Sequence, residues 1–364
     1  MGEAPENNPD DLVAGKYRLV RMIGQGGMGS VWEGEHVTLG TRVAIKFIEH
    51  ELADSDEARS RFDQEARAAA KLQSRYVVAV HDHGLMPDRR PFIVMEYLQG
   101  QTLEDRTVAR GRLDLVETSL IIAQVAKGLA KAHELGIVHR DLKPENIFLT
   151  DSPDDDEQVA KIVDFGIAKF TEGAPAGMSS STRTGTILGT PVYMSPEQAR
   201  GLRDIDFRSD LWALGVVVYR CVVGRLPFQG EAVGDIVVKI CTQDPVLPTQ
   251  VDPMLPRGLD TWFSRCVARE RQERFASVKE LAATLLVVAG VISHPDQAFP
   301  LTNAASAPGP NLMRSPPSVH EASSKVELEN AATQIGTTSS VSHGAKPRSV
   351  GLLVAVVVGG LMLA

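Results

Sequence analysis

His139-Arg140-Asp141-Leu142-Lys143-Pro144-Glu145-Asn146 is the stretch on which the reading of this chain turns. It sets a carboxylate, a lysine and an amide close together; Asp164-Phe165-Gly166 follows it and Val43-Ala44-Ile45-Lys46 precedes it. Those residue types suit phosphoryl transfer. That chemistry needs a carboxylate beside the attacking hydroxyl, a second carboxylate and an amide on a hard cation, and a lysine on the phosphates.

Upstream, Gly24-Gln25-Gly26-Gly27-Met28-Gly29-Ser30-Val31 fits GxGxxGxV, in which missing side chains let backbone amides approach phosphate oxygens. Alone this is a weak signal. A dinucleotide fold would place a helix after the glycines, whereas Ser30 to Glu33 alternates like a strand. Tyr17 to Val20 and Arg42 to Ile48 read as further strands, and Tyr76 to His81 and Phe92 to Tyr97 continue the sheet. Between Asp56 and Gln73, Phe62, Ala66, Ala69 and Leu72 recur at helical spacing, with Glu65 beside the stripe as the expected partner of Lys46. Beyond Gly100 helical periods dominate, over Leu115 to Leu135 and Asp210 to Val223. The expectation is an α+β chain with a sheet-rich first lobe carrying one helix, then a mostly helical second lobe.

Residues 17 to 285 resemble a Hanks-type protein kinase of the bacterial serine/threonine class, on the motifs quoted above together with Ser195-Pro196-Glu197 and Ser209-Asp210-Leu211-Trp212. The resemblance implies a bilobal kinase fold over 15–290, with lobes of 15–97 and 98–290. It implies ATP as substrate and Mg2+, with Mn2+ as a substitute. Asp141 would orient or take the proton of the substrate hydroxyl, Lys143 would offset charge on the transferring group, and Asn146 and Asp164 would hold the metal. Ile23, Val31 and Ala44 would roof the base, Lys46 would sit on the α and β phosphates, and Phe148 would lie under the base. Met95 would be the gatekeeper, with Glu96 to Leu98 as the hinge. Glu197 would pair with Arg274, Asp210 would hold the His139 to Asp141 loop, and Thr190 would bond Asp141 and Lys143. Gly189-Thr190 and Lys143 mark serine/threonine specificity. Arg140 beneath the activation segment, Asp164 to Glu197, would receive a phosphate added in trans at Thr182 and Thr184, with Thr186 the weaker site. That last expectation includes transient self-association.

A net charge of -8 argues against broad nucleic-acid binding. Cys221, Cys241 and Cys266 lack CxxC or zinc spacing and read as buried free thiols in a reducing compartment. Residues 1–14 read as a flexible leader without a secretory signal, and 291–348, rich in Pro, Ala and Ser, as a disordered juxtamembrane linker. Lys346 and Arg348 precede the uncharged run Val350 to Ala364, so 349–364 reads as a membrane segment with the kinase on the cytoplasmic side of the inner membrane. A helix of ~15 residues spans roughly 22 Å, short of the ~30 Å hydrocarbon core, so the bilayer thins or the span continues. Two other readings are a nucleotide-binding scaffold without transfer, opposed by the intact Lys46, Asp141, Asn146 and Asp164, and a small-molecule kinase, opposed by the long activation segment. The acidic run Asp154 to Glu157 reads as a solvated hairpin tip.

Overall fold

The computed structural model describes residues 7–26, 29–48, 56–151, 158–165 and 191–299. The first lobe is a six-stranded sheet of β1 (Leu12–Val13), β2 (Tyr17–Gly26), β3 (Gly29–His36), β4 (Arg42–Ile48), β5 (Val80–Leu85) and β6 (Pro91–Glu96). Their order is β1-β2-β3-β4-β6-β5, and every neighbouring pair is antiparallel. Period-two alternation then sorts side chains between two faces. Val43, Ile45 and Phe47 join Tyr17, Leu19, Trp32, Phe92 and Val94 on one face. Ala44 and Ile48 share the other with Val31, Ile93, Met95 and Phe148, which puts Lys46 on that second face too. Gly29 closes the turn between β2 and β3 with φ +135°; a Cβ there would lie 1.8 Å from the Phe47 carbonyl oxygen. The second face is covered by α1 (Asp56–Ala70), which packs on β5 and buries Phe62, Ala66 and Ala69.

The second lobe opens with a three-stranded sheet, β7 (Gly100–Thr102), β8 (Ile147–Thr150) and β9 (Val159–Ile162) in that order. The rest of its described chain is helical: α2 (Leu103–Arg110), α3 (Leu115–Glu134), α4 (Pro196–Ala199), α5 (Arg208–Val223), α6 (Val233–Thr242), α7 (Pro248–Val251), α8 (Arg257–Cys266) and α9 (Val278–Val288). Asp114 caps α3 by accepting from the Val116 and Glu117 amides, which satisfies donors that the first turn leaves unpaired. Helix α5 is the centre of the lobe, with Trp212, Leu214, Val217, Tyr219 and Cys221 all buried. Gly215 lets α8 approach it, since a Cβ there would meet the Cys266 Cβ at 2.5 Å.

Several expectations need correction. Tyr76 to Ala79 is not a strand of the first sheet: Val78 donates to the Ile162 carbonyl and Ile162 donates to that of Tyr76, so this backbone is taken by β9 and the strand begins at Val80. The leader does not extend to residue 14, because β1 pairs with β2 and Val13 is fully buried in the lobe core. The ordered chain does not stop at 290 either: Pro295–Gln297 forms a 3-10 turn and Phe299 packs against the second-lobe core. Cys221 and Cys266 are buried, but Cys241 is half-buried. Burial pushes the Cys221 thiol up to about 12, which makes it a poor nucleophile. Among the described residues no helix is long and apolar enough to cross a membrane. The segments 300–348 and 349–364, and the acidic run 154–157, lie outside the described residues.

Candidate active site

A cleft between the two sheets is lined by Val31, Ala44, Val78, Met95, Leu98, Phe148 and Val163, with Glu96, Tyr97, Thr102, Glu145 and Asp164 at its polar margin. Val31 and Ala44 come from β3 and β4 above, and Phe148 from β8 below, so two apolar surfaces face each other across the space. Ile23 is half-buried beside them. Met95 ends the apolar back wall. The Glu96 amide donates to the Ala79 carbonyl at 2.9 Å, and its carboxylate accepts from the Ala79 amide at 2.8 Å and pairs with Lys161 of β9 at 2.7 Å. At the end of the β2–β3 hairpin Gly24 pairs with Val31, Gln25 with Ser30 and Gly26 with Gly29; Gly27 and Met28 lie outside the described residues.

Lys46 reaches Asp164 with Nζ 2.8 Å from Oδ1, joining β4 to the chain that leaves β9. Glu65 sits on α1, and its side chain lies outside the described residues. Asp164 has φ +56° and Arg140 φ +64°, left-handed backbone that costs of order 1 to 3 kcal/mol per residue and persists only where surroundings impose it. At Arg140 those surroundings are visible. Its amide donates to Asp210 Oδ1 at 2.9 Å and its carbonyl accepts from Gln198 Nε2 at 2.7 Å. Asp210 Oδ2 also accepts from the His139 amide at 2.9 Å and lies 2.8 Å from His133 Nε2.

His139 is buried beneath the loop, its ring 4.8 Å from that of Phe165. The Asp141 amide donates to its Nδ1 at 3.3 Å, which leaves the proton on Nε2 to donate to the Val163 carbonyl at 3.2 Å. Burial holds this imidazole below its ordinary pKa, so the neutral ring links the loop to the segment carrying Asp164. Asn146 directs Nδ2 to the Asp141 carbonyl at 2.8 Å, with the Asp141 carboxylate at 3.4 Å. The Asn146 amide oxygen is thereby the atom left to offer a cation. Lys143 Nζ stands 3.7 Å from Asp141 Oδ2. Lys46 is thus joined to Asp164, and Asn146 and Lys143 to Asp141, with His139 linking the two groups through the Asp141 amide and the Val163 carbonyl.

Glu197 and Arg274 form a bidentate pair at 2.7 and 2.8 Å, with side chains 6% and 0% exposed. Burial pushes the Glu197 carboxyl up, but the Arg274 bonds and charge outweigh it and the net position is below the usual carboxylate range. Arg274 also donates to the Ala268 and Arg208 carbonyls, both at 2.9 Å. Thr182, Thr184, Thr186 and Thr190 lie outside the described residues. Reading by sequence missed His133, Gln198 and Lys161. Ser195-x-x-Gln198 is a capping-box pattern, and that was the only available signal for Gln198; its reach to Arg140 has no local signature.

A model of the protein kinase domain matches residues 17–285. Among curated relatives, the serine/threonine-protein kinase pkn2 of Myxococcus xanthus is 38% identical over 288 residues, covering 78% of this chain and 34% of that protein. PknL of Mycobacterium tuberculosis is 35% identical over 302 residues, covering 82% of this chain and 73% of the relative. The chain spans about a third to a half of the length of the M. xanthus relatives pkn2 and pkn3. Among solved structures, the M. tuberculosis PknI kinase domain superposes with a TM-score of 0.63 at 29% identity, covering 78% of this chain and all of that one. With its two lobes, its cleft and these relatives, the chain belongs to the protein kinase family, in the company of the bacterial serine/threonine-protein kinases.

Proposed function

We propose that this chain transfers the γ-phosphoryl group of ATP to serine and threonine hydroxyls of proteins. The observation that carries the reading is an apolar cleft with Asp164 at its margin, Lys46 paired to that carboxylate, and Asn146 and Lys143 drawn to Asp141 on the loop that His139 ties to the Val163 carbonyl. Val31, Ala44 and Phe148 hold the base between them and the Glu96 to Leu98 backbone faces its edge. Lys46 holds the phosphates. Asp141 orients the substrate hydroxyl and accepts its proton late, since an ordinary carboxylate is a weak base and its larger value is position. Lys143 offsets negative charge on the group in transit.

Mg2+, when bound, neutralises phosphate charge, and Asn146 and Asp164 are the residues that would hold it. Their oxygens suit a hard cation.

Two regulatory features belong to the same reading. Autophosphorylation in trans at Thr182 or Thr184 would give Arg140 a dianion to bind; mass spectrometry showing full activity with no phosphate on residues 179–186 would remove this. Membrane anchoring rests on the uncharged run Val350 to Ala364 behind Lys346 and Arg348. If a chain lacking 349–364 still pellets with membranes, the anchor lies elsewhere.

The direct test is transfer of label from γ-labelled ATP with Mg2+ to a generic basic protein by the full chain, beside Asp141→Asn. Label on phosphoserine or phosphothreonine from the wild type, reduced by orders of magnitude in the variant, is the expected result. A folded, nucleotide-binding chain that transfers nothing, even after treatment with an active kinase, would instead be a scaffold.

A further inference from the structure

We propose that Glu33 is a positioning residue for the nucleotide. Through Arg21, Arg42 and Tyr97 it sets the hinge against the roof of the cleft, so that it governs affinity for adenine nucleotides rather than the transfer step. The inference rests on the reading of the cleft as an ATP site.

The cluster follows from sheet register. A bulge between Leu19 and Arg21 brings Arg21 opposite Glu33, and Ala44 is the cross-strand neighbour of Glu33 on β4. Alternation from Val31 puts Glu33 on the same face of the sheet as Val31, a lining residue of the cleft. There its side chain is only 10% exposed, although it is a carboxylate. Arg21 Nε donates to Glu33 Oε2 at 2.8 Å, Arg42 Nη1 lies 3.9 Å from Oε1, and the Tyr97 hydroxyl is 3.5 Å from Oε2. The Arg42 guanidinium stacks over the Tyr97 ring, 4.7 Å from its centroid. Tyr97 lies between Glu96 and Leu98 and itself lines the cleft.

Two routes therefore join the roof to the hinge. One is the backbone ladder from Glu33 to Ala44 to Met95. The other is the side-chain bridge from Glu33 to Tyr97. Ion pairs of exposed arginines contribute little in themselves, and Arg21 and Arg42 are each about half exposed. The buried carboxylate changes the balance, because without it two guanidiniums face each other and Tyr97 with no anion between them. Arg42 then leaves the ring, and the hinge backbone loses its fixed distance from Ala44 and Val31.

The test uses the full chain with Glu33→Ala, Glu33→Gln, Tyr97→Ala, Tyr97→Phe and the Glu33→Ala/Tyr97→Ala double variant. ADP affinity is measured by calorimetry, and KM for ATP and kcat by label transfer. Glu33→Ala and Tyr97→Ala are expected to raise Kd for ADP and KM for ATP roughly tenfold with kcat within about twofold, a pattern of lost uniform binding. Tyr97→Phe keeps the Arg42 stack and should stay within about threefold, whereas Glu33→Gln removes the anion between the two guanidiniums and should lose affinity as Glu33→Ala does. The double variant should be no worse than either single one, since both act through the same contact. Unchanged ADP affinity in Glu33→Ala, or additive losses in the double variant, overturns the inference. Wild-type chain that fails to bind ADP would overturn the kinase reading itself, a separate result.

Discussion

Two ion pairs in this molecule look alike in a list of distances and differ in kind. Lys46 and Asp164 meet at 2.8 Å across the cleft, with side chains 11% and 19% exposed. Glu197 and Arg274 meet at 2.7 and 2.8 Å inside the second lobe, where Arg274 is also bonded to two backbone carbonyls and its guanidinium lies over the Trp212 ring at 5.1 Å. The second pair is closed: almost every donor has its acceptor, and water is excluded. The first is open, with its carboxylate on the lining of the cleft and both side chains reached by solvent. A closed pair serves the fold, and an open one can exchange its partner for phosphate or metal during a reaction cycle.

Substitutions can break that contrast. Lys46→Met should lower turnover by about two orders of magnitude or more, because the phosphates lose their positioning charge, while the melting temperature moves little. A rate near that of wild type, measured by label transfer, would end the assignment. Arg274→Ala should do the reverse, costing about 3 to 5 kcal/mol in urea unfolding because Glu197 is left buried and unpaired. Replacing both with leucine should cost less than Arg274→Ala alone, since no orphan charge remains. Equal losses would mean that the packing, not the charge, is what matters there.

Acid sharpens the same comparison. His139 is held below its ordinary value of 6.5 by burial, so its contribution is complete above about that pH and is lost as pH falls toward its folded value. Glu197 is held below its ordinary 4.5, so the closed pair contributes fully above that value and loses its contribution as pH falls further. Unfolding midpoints should therefore fall in two stages, first through the catalytic loop and then through the second-lobe pair. Nuclear magnetic resonance showing His139 titrating at or above its ordinary value in the folded chain would contradict the first stage. Gln198→Ala, which removes one hydrogen bond to the Arg140 carbonyl, is the smallest change, at about 1 kcal/mol with a modest loss of rate.

Much of the fold could be read before any coordinates because it is periodic. Alternation over Arg42 to Ile48 and helical spacing from Phe62 to Leu72 assign elements to faces, and the glycine turn stands between two strands. The strand expected at Tyr76 to His81 starts only at Val80 for a tertiary reason: Val77 and Val78 are apolar enough for a sheet, but their backbone partner is Ile162 in the other lobe. The candidate site divides in the same way. Lys46, Asp141, Asn146 and Asp164 were legible because their motifs are local, whereas His133, Gln198, Lys161 and Glu33 were not. Each of these acts by reaching a backbone or side chain distant in sequence, and residue type carries no record of such a reach.

By itself, then, the sequence determined the chemistry available to this protein: which carboxylates, lysines and amides it carries, and on which kind of element each one sits. Only the tertiary structure decided which of them meet. Gln198 holds the Arg140 carbonyl, Lys161 pairs with Glu96, and Glu33 reaches the Tyr97 hydroxyl. The physical reason is range. Propensity and alternation act over a few residues, while a buried polar group must find its partner wherever packing brings one.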